Sequence, residues 1–593
     1  MTVFARTSCR ERMDRTVNPS RGRVCTRPLP ASEPRCPSQV KTSPAAVSAA
    51  RVAVSASYVV VSAFCVVVSA ACVAVFAGYV VGTALRISGT RRVRLLLRAN
   101  PVWEPVRYSR RDTVSAGDGG DAVDSENTAL VRVLGRWDVL VVAFGAMIGF
   151  GWVVLTGDFL RDAGAWGSAL AFAIGGVVVA LIGLTYAELV SAIPKAGGEH
   201  NYVLRGMGAR AAFATSWLLV LGYITVVAFE AVALPESLSY LIPGLESARL
   251  WSVAGSDVYG MWVLVGVVGA VVMTALNYVG VRPAAVFQTI AVLFLCAVGA
   301  ALLAGAFVGG TTEHLQPAFG TGLGGTIGVL MAVPFLFVGF DVIPQSAEEI
   351  KVSSRRVGLI LVFSVGCAAA WYILVMLTVG SALPADELGA SGLAAAEGMA
   401  ALWNSSVMGD VLVLGGIAGI LTSWNGFVIG VSRLLYAMAQ SGMVPAWFGR
   451  VHPRFRTPSN AILFVGAFSV VAPFFGSELL TWMVDAGGFA VIVAYTMVAL
   501  TFLALRRREP ELERPFRVPA GRLVGCLAAV CGLGLTTLFL PGMPSGLTTP
   551  EWVVVGLWGI FGVVLVRRIP RVRPGPEAEE QLLAAVRQPA RSR

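Results

Sequence analysis

From about residue 137 to 568, apolar runs of about 20 residues follow one another, each long enough to cross ~30 Å of hydrocarbon as a helix. Two of these runs are interrupted where a membrane helix should be most regular. The first carries Ala143-Phe144-Gly145-Ala146-Met147-Ile148-Gly149-Phe150-Gly151 and the second Pro334-Phe335-Leu336-Phe337-Val338-Gly339-Phe340-Asp341. An unpaired amide or carbonyl in hydrocarbon costs several kcal/mol, so unwound backbone at mid-bilayer is tolerated only where it lines a cavity and meets a ligand. Two such breaks at matching places in two halves point to a carrier with its solute site near the midplane.

Composition agrees: 56% of the residues are hydrophobic and 14% charged, with mean hydropathy +0.73. Twelve spans are expected, near 137–157, 166–190, 211–235, 260–280, 285–308, 325–347, 357–382, 408–438, 459–476, 479–505, 521–541 and 551–567. The net charge of +11 would suit nucleic acid, but the basic residues are distributed otherwise. With the start of the first span in the cytoplasm, the inside loops from Lys195 to Arg522 hold sixteen Lys and Arg, against only Arg161 and Arg249 outside. That asymmetry orients a membrane protein with both ends of its core cytoplasmic, and leaves no nucleic-acid role to explain.

Four of the nine cysteines, Cys296, Cys367, Cys526 and Cys531, fall within apolar spans and show no metal-ligand spacing. The histidines His200, His314 and His452 lie in expected loops. Neither a metal site nor a cofactor is expected.

Residues 1–130 differ from the rest. Val-Ser-Ala recurs with a seven-residue period at 47, 54, 61 and 68, inside a low-complexity apolar stretch over 45–85. It is long enough to span, yet one added span would place the Arg-rich tail outside, against the charge rule, and it begins too deep for a signal peptide. Two readings stay open: a genuine appended segment, or a reading frame extended upstream of a start near residue 114. Residues 569–593 are expected to form a cytoplasmic tail.

The loops have their own grammar. The second span ends Tyr186-Ala187-Glu188-Leu189 and runs into Pro194-Lys195-Ala196-Gly197-Gly198-Glu199-His200-Asn201-Tyr202, where Pro stops the helix and Gly-Gly turns the chain. The sixth runs into Gln345-Ser346-Ala347-Glu348-Glu349-Ile350-Lys351, and the eighth ends Ser432-Arg433-Leu434-Leu435-Tyr436-Ala437-Met438-Ala439. These segments, with the two breaks and in this order and spacing, resemble the amino acid permeases of the amino acid–polyamine–organocation superfamily. The resemblance covers about residues 131–568. It implies an all-α integral membrane fold of two inverted repeats of five helices, the first and sixth unwound, plus two further helices. It also implies secondary transport of amino acids or related amines at the cell membrane, by proton symport or exchange. An antiporter of the ethanolamine or putrescine type is the alternative.

The residues themselves support such a site. A broken helix offers free amides at a positive dipole end and free carbonyls at a negative one, the complements of a carboxylate and an ammonium group. Amides around Met147, Ile148, Gly149, Phe150 and Gly151 are expected to hold the carboxylate, and carbonyls from Phe335 through Phe337 to Val338, beside Gly339, the amine. The competing reading is that the glycines only allow close helix packing. By resemblance, Phe335 stands where an aromatic residue caps the substrate, Asp341 where an acidic residue follows the break, and Phe427 where a pocket-lining aromatic is common. Asn425, beside Ser423, is expected either to bond substrate or helix one, or to make a simple interhelical contact.

Two departures from the resembling family stand out. Phe150 occupies a place where a small polar residue is common, which narrows the pocket. Leu295 stands where proton-coupled members of one branch carry a lysine. No lysine lies in any expected span, so intramembrane carboxyls become the candidates for coupling, Glu230 first and Asp341 second, with Asp485 nearer the outer face. Glu188 and Arg433, near the cytoplasmic ends, are expected in an inner gate or packing network. A membrane-embedded enzyme or a sensor is the reading from another class, but the chain has no HExxH, GxSxG or phosphate loop.

Overall fold

Glycine and proline placement divides the apolar sequence into helices in the computed structural model, which describes residues 130–587 apart from 243, 254–255, 544–545, 567–568, 570–571 and 573. The Val-Ser-Ala extension lies outside the described residues. In chain order come α1 (Arg136–Met147), α2 (Gly151–Val154), α3 (Thr156–Ala192), α4 (Glu199–Met207) and α5 (Ala209–Leu241). A short hairpin of β1 (Arg249–Val253) and β2 (Ser256–Tyr259) precedes α6 (Gly260–Val279), α7 (Val281–Gly309), α8 (Leu323–Leu336) and α9 (Val342–Gln345). Then follow α10 (Ser354–Gly380), α11 (Ala385–Ala390), α12 (Ala394–Trp403), α13 (Ser406–Gln440) and α14 (Ser459–Val471). The series closes with α15 (Gly476–Arg508), α16 (Gly521–Leu538), α17 (Thr549–Val566) and α18 (Ala578–Arg587).

Among the described residues nine helices are long and apolar enough to cross a membrane, and α8 and α14 are shorter apolar helices. Their burial is unequal. In α5 and α13 the most apolar stretch is 89% and 83% buried, against 11% in α17, so α5 and α13 form the protein interior while α17 faces outward. Its bare side, Val553, Leu557, Ile560, Phe561 and Val564, is the surface that only hydrocarbon can solvate cheaply. α1 is enclosed by α7, α10 and α13, and α3 packs along both α8 and α10.

Gly164 is the kink inside α3, where the chain turns between two helical stretches. Its φ of +71° and the backbone of Pro317, Ala318 and Gly320 pressed against it leave no room for a side chain. The basic loops collect at one end of the bundle. There Arg205 pairs with Glu509, Arg433 with Glu349, and Glu188 with Arg506 and Arg514. Lys195 reaches Glu579 of α18, which seats Ala578 and Leu582 in the fold. The hairpin, the loop helices α4, α11 and α12, and α18 were not expected from hydropathy, because segments this short carry no spanning signal.

Candidate functional site

The first break is brief. α1 ends at Met147, the Ile148 amide still reaches the Phe144 carbonyl at 3.1 Å, and Ile148 then leaves the helix at φ −103°, ψ 70°. Three residues later α2 begins at Gly151, which lies so close to Leu336 that a Cβ there would stand 2.5 Å from its side chain. Gly149, between them, meets polar groups. A Cβ on it would sit 3.1 Å from Glu230 Oε1 and 3.3 Å from Ser423 Oγ, side chains delivered by α5 and α13. Glu230 is 2% exposed and its Oε2 has no hydrogen-bond partner. A carboxyl with a spare oxygen thus rests against unwound backbone in the centre of the bundle.

The second break starts later than its proline suggests. α8 continues through Pro334 to Leu336, and Phe337–Asp341 form the unwound turn. Proline fixes a helix-compatible φ and only deletes an amide, so it bends the turn before it rather than ending it. The Phe337 amide donates to Val333 O and the Val338 amide to Phe335 O, both at 3.2 Å. Gly339 takes φ +130° and packs on α1, where a Cβ would lie 2.7 Å from the Ala146 carbonyl carbon. The two breaks therefore touch. Asp341 then closes its own loop, its Oδ1 accepting from the Gly339 amide at 3.0 Å and its Oδ2 from the Tyr223 hydroxyl at 2.5 Å.

A residue not singled out in the sequence joins the breaks. The Tyr372 hydroxyl of α10 donates toward Met147 O at 3.2 Å and Leu336 O at 3.4 Å, the last residues of α1 and α8. Those are the carbonyl ends where two helix dipoles leave partial negative charge. Tyr372 is held for this by ring stacking on Phe172 at 4.8 Å and Phe337 at 5.7 Å. The signal available beforehand was a hydroxyl at bilayer depth in an otherwise apolar span.

The other expected site residues are placed as follows. Phe335 is half-buried in the last turn of α8, against Gly488 of α15. Ile148, Phe150 and Val338 are buried at the breaks, and Trp152 meets Trp371 edge to face at 5.3 Å. Asn425 points away from the breaks: its amide donates to Gln288 Oε1 at 2.7 Å and Ala284 O at 3.3 Å, and its oxygen accepts from Asn277 at 2.9 Å. Gln288 in turn donates to Thr422 O, and Thr422 Oγ1 to Gly145 O, both at 3.1 Å. This ladder ties four spanning segments together and anchors α1. Phe427 packs on Tyr223 at 5.3 Å, beside Asp341 rather than Gly149. Glu188 is fully engaged by Arg506, by Arg514 at 3.0 Å and by the Val518 amide at 2.8 Å, joining α3 to the segment between α15 and α16. Leu295 is buried in α7. Among the described residues no group of three or more His, Cys, Asp or Glu side chains is placed to hold a metal ion.

Comparison with known proteins agrees with this architecture. The chain is 26% identical over 440 residues to the methylthioribose transporter of Bacillus subtilis (strain 168), covering 73% of this chain and 94% of that protein. It is 26% identical over 450 residues to a branched-chain amino acid permease of the same organism, covering 74% and 94%. It is 24% identical over 415 residues to that organism's aspartate-proton symporter, covering 67% and 78%. The family model described as amino acid permease matches residues 134–565. A chain with this helical architecture and a match of that extent belongs to the amino acid permease family, as a multi-pass membrane protein.

Proposed function

We propose that the protein is a secondary carrier for an amino acid or a related amine across the cell membrane. It binds its solute between the two breaks and couples to protons through Glu230. Twelve spans in two inverted five-helix repeats plus two helices, with the basic end cytoplasmic, complete the reading. The observation that carries it is the meeting of unwound backbone with a buried carboxyl: Gly149 beside Glu230 and Ser423, with Gly339 against Ala146. Unused polar atoms in hydrocarbon are costly, so their presence there supports a ligand.

In this reading the spare oxygen of Glu230 and the carbonyl ends at Met147 and Leu336 attract an ammonium group, and Tyr372 keeps those ends together. The amides from Gly149 to Gly151 face a carboxylate. With no span lysine, a carboxyl must carry the coupling proton, and Glu230 has an oxygen free to do so whereas both oxygens of Asp341 are occupied. The aspartate-proton symporter among the relatives supports a proton-driven cycle. The methylthioribose transporter is a reason not to take the substrate from a relative. One observation favours exchange of an amine that lacks a carboxylate: an ionised Glu230 at the first break would repel a carboxylate bound there.

Uptake of radiolabelled amino acids and amines into proteoliposomes tests the function. Saturable accumulation of one of these solutes is expected; chemical turnover of solute without accumulation would contradict the carrier reading.

A further inference from the structure

A pair of buried carboxyls lies apart from Gly149 and Glu230, toward the basic end. Glu199 opens α4, outside the spans, and Asp341 closes the second break; both are 0% exposed. Among the described residues neither forms an ion pair with a Lys, Arg or His. Cations of the basic end are committed elsewhere: Arg205 to Glu509, Arg433 to Glu349, Arg506 to Glu188, Lys195 to Glu579, and Arg508 to the Gly206 carbonyl. His200, next in sequence, sits between Ser216 and Ser441, and burial pushes it down to about 4, so it is neutral at neutral pH.

Among the described residues the surroundings are rich in oxygen and hold no cation paired with either carboxyl. Gln345 donates its amide to Glu199 Oε2, while Glu199 Oε1 and Gln345 Oε1 have no partner. The buried hydroxyls of Tyr186 and Tyr495 are directed at Glu199 and Asp341 without a close hydrogen bond, and that of Tyr202 is buried without a partner. They belong to one cluster: Tyr186 and Tyr495 pack on Phe340 at 5.3 and 5.1 Å, and Asp341 and Tyr186 are within electrostatic reach of Glu199. Two buried carboxyls with no cation beside them, and the spare oxygens of Glu199 and Gln345 between them, are a costly arrangement that one positive charge would relieve. We propose that Glu199, Gln345 and Asp341 form a buried site for one monovalent positive charge, a proton or a sodium ion, separate from the solute site at Gly149 and Glu230.

The site bears on the cycle through its position. Glu199 sits on a loop helix, Gln345 on α9, and the Gly197 amide holds the Gln345 carbonyl at 3.1 Å. Parting α4 from α9 would expose both carboxyls to the basic side and release the charge, so a bound cation stabilises the closed arrangement. Burial and the Asp341 charge push Glu199 well above the ordinary carboxylate range. The folded chain then binds this proton more tightly than the unfolded one, so its contribution is present at low pH and lost as pH rises through the folded value. His200 acts in the opposite sense, so the informative quantity is the difference between wild type and a Glu199 variant.

The test needs no substrate, and its failure is therefore distinct from failure of the carrier reading. Thermal unfolding of the purified full chain is measured in choline buffer from pH 8 to 6, and at pH 8 with added sodium chloride. Wild type is expected to gain on the order of 2 °C over Glu199→Gln, on acidification if the charge is a proton and on sodium addition if it is sodium. Identical responses of the two proteins to both treatments would overturn the proposal. Should Glu199→Gln fail to fold, wild type alone is treated with a hydrophobic carbodiimide, which reacts with protonated buried carboxyls, and mapped by mass spectrometry. Labelling of Glu199 that falls with rising pH or with sodium supports the site; labelling indifferent to both, or none, overturns it.

Discussion

The two helix breaks are bonded differently although they touch. The second is closed on itself: Asp341 accepts from the amide of Gly339 and from Tyr223, and Gly339 fills the contact with Ala146. The first has no such internal carboxyl. Glu230 comes to it from α5 and keeps one oxygen free. Both breaks take a partner from α5, Tyr223 at the second and Glu230 at the first, but only the first is left with an unbonded carboxyl oxygen. The difference teaches that matching sequence interruptions need not share a role.

Substitutions at the two glycines should separate the breaks most sharply. Gly339→Ala forces a side chain into a positive-φ position and onto the backbone of Ala146. Together these cost on the order of 3 kcal/mol, a hundredfold loss of uptake. Gly149→Ala meets only the side chains of Glu230 and Ser423 at 3.1 and 3.3 Å, which can shift, so a loss of about tenfold or less is expected. Equal losses in initial uptake rate, normalised to protein in the membrane, would remove the distinction.

Asp341→Asn should act on the fold more than on coupling. It keeps one acceptor but weakens charge-assisted bonds worth about 1.5–3 kcal/mol, so the midpoint of thermal unfolding falls while the residual uptake still follows a proton gradient. If the variant is as stable as wild type yet has lost gradient dependence, the coupling group is Asp341.

Tyr372→Phe removes the hydroxyl shared by the Met147 and Leu336 carbonyls but keeps the stack on Phe172. About 1 kcal/mol, roughly fivefold in apparent affinity, is expected, and unchanged affinity would show that the bridge is dispensable. The smallest effect is one of selectivity. Phe150→Ser should widen acceptance toward bulkier solutes several-fold, measured as the ratio of competition constants; an unchanged ratio would mean that Phe150 faces away from the bound solute.

Much of this was legible from backbone chemistry. Glycine at 149 and 339 marks the unwound backbone, whereas Gly145 lies inside α1 and serves close packing against Gln288, Val292 and Thr422, and a residue such as Asp341 can bond an amide two positions away. Side-chain direction was not legible. Asn425 read equally well as a solute ligand or an interhelical contact, and only the placement of Asn277 and Gln288 aims it into the ladder. Tyr372 was hidden because its partners lie 225 and 36 residues away. In α5, apolar on most of its surface, periodicity could not say which face carries Glu230 inward, and the second break starts at Phe337, three residues past Pro334, because proline there bends the helix without ending it.

The central claim is that the first break, through Glu230, joins solute binding to the driving ion. The direct measurement is solute uptake into proteoliposomes under an imposed inward proton gradient, with solute exchange at equal pH as the companion, for wild type and Glu230→Gln. Wild type should accumulate solute with the gradient, whereas Glu230→Gln should lose that response and keep exchange, which needs no net proton movement. Gradient-driven accumulation that survives in Glu230→Gln, or wild-type uptake indifferent to the gradient, would contradict the account.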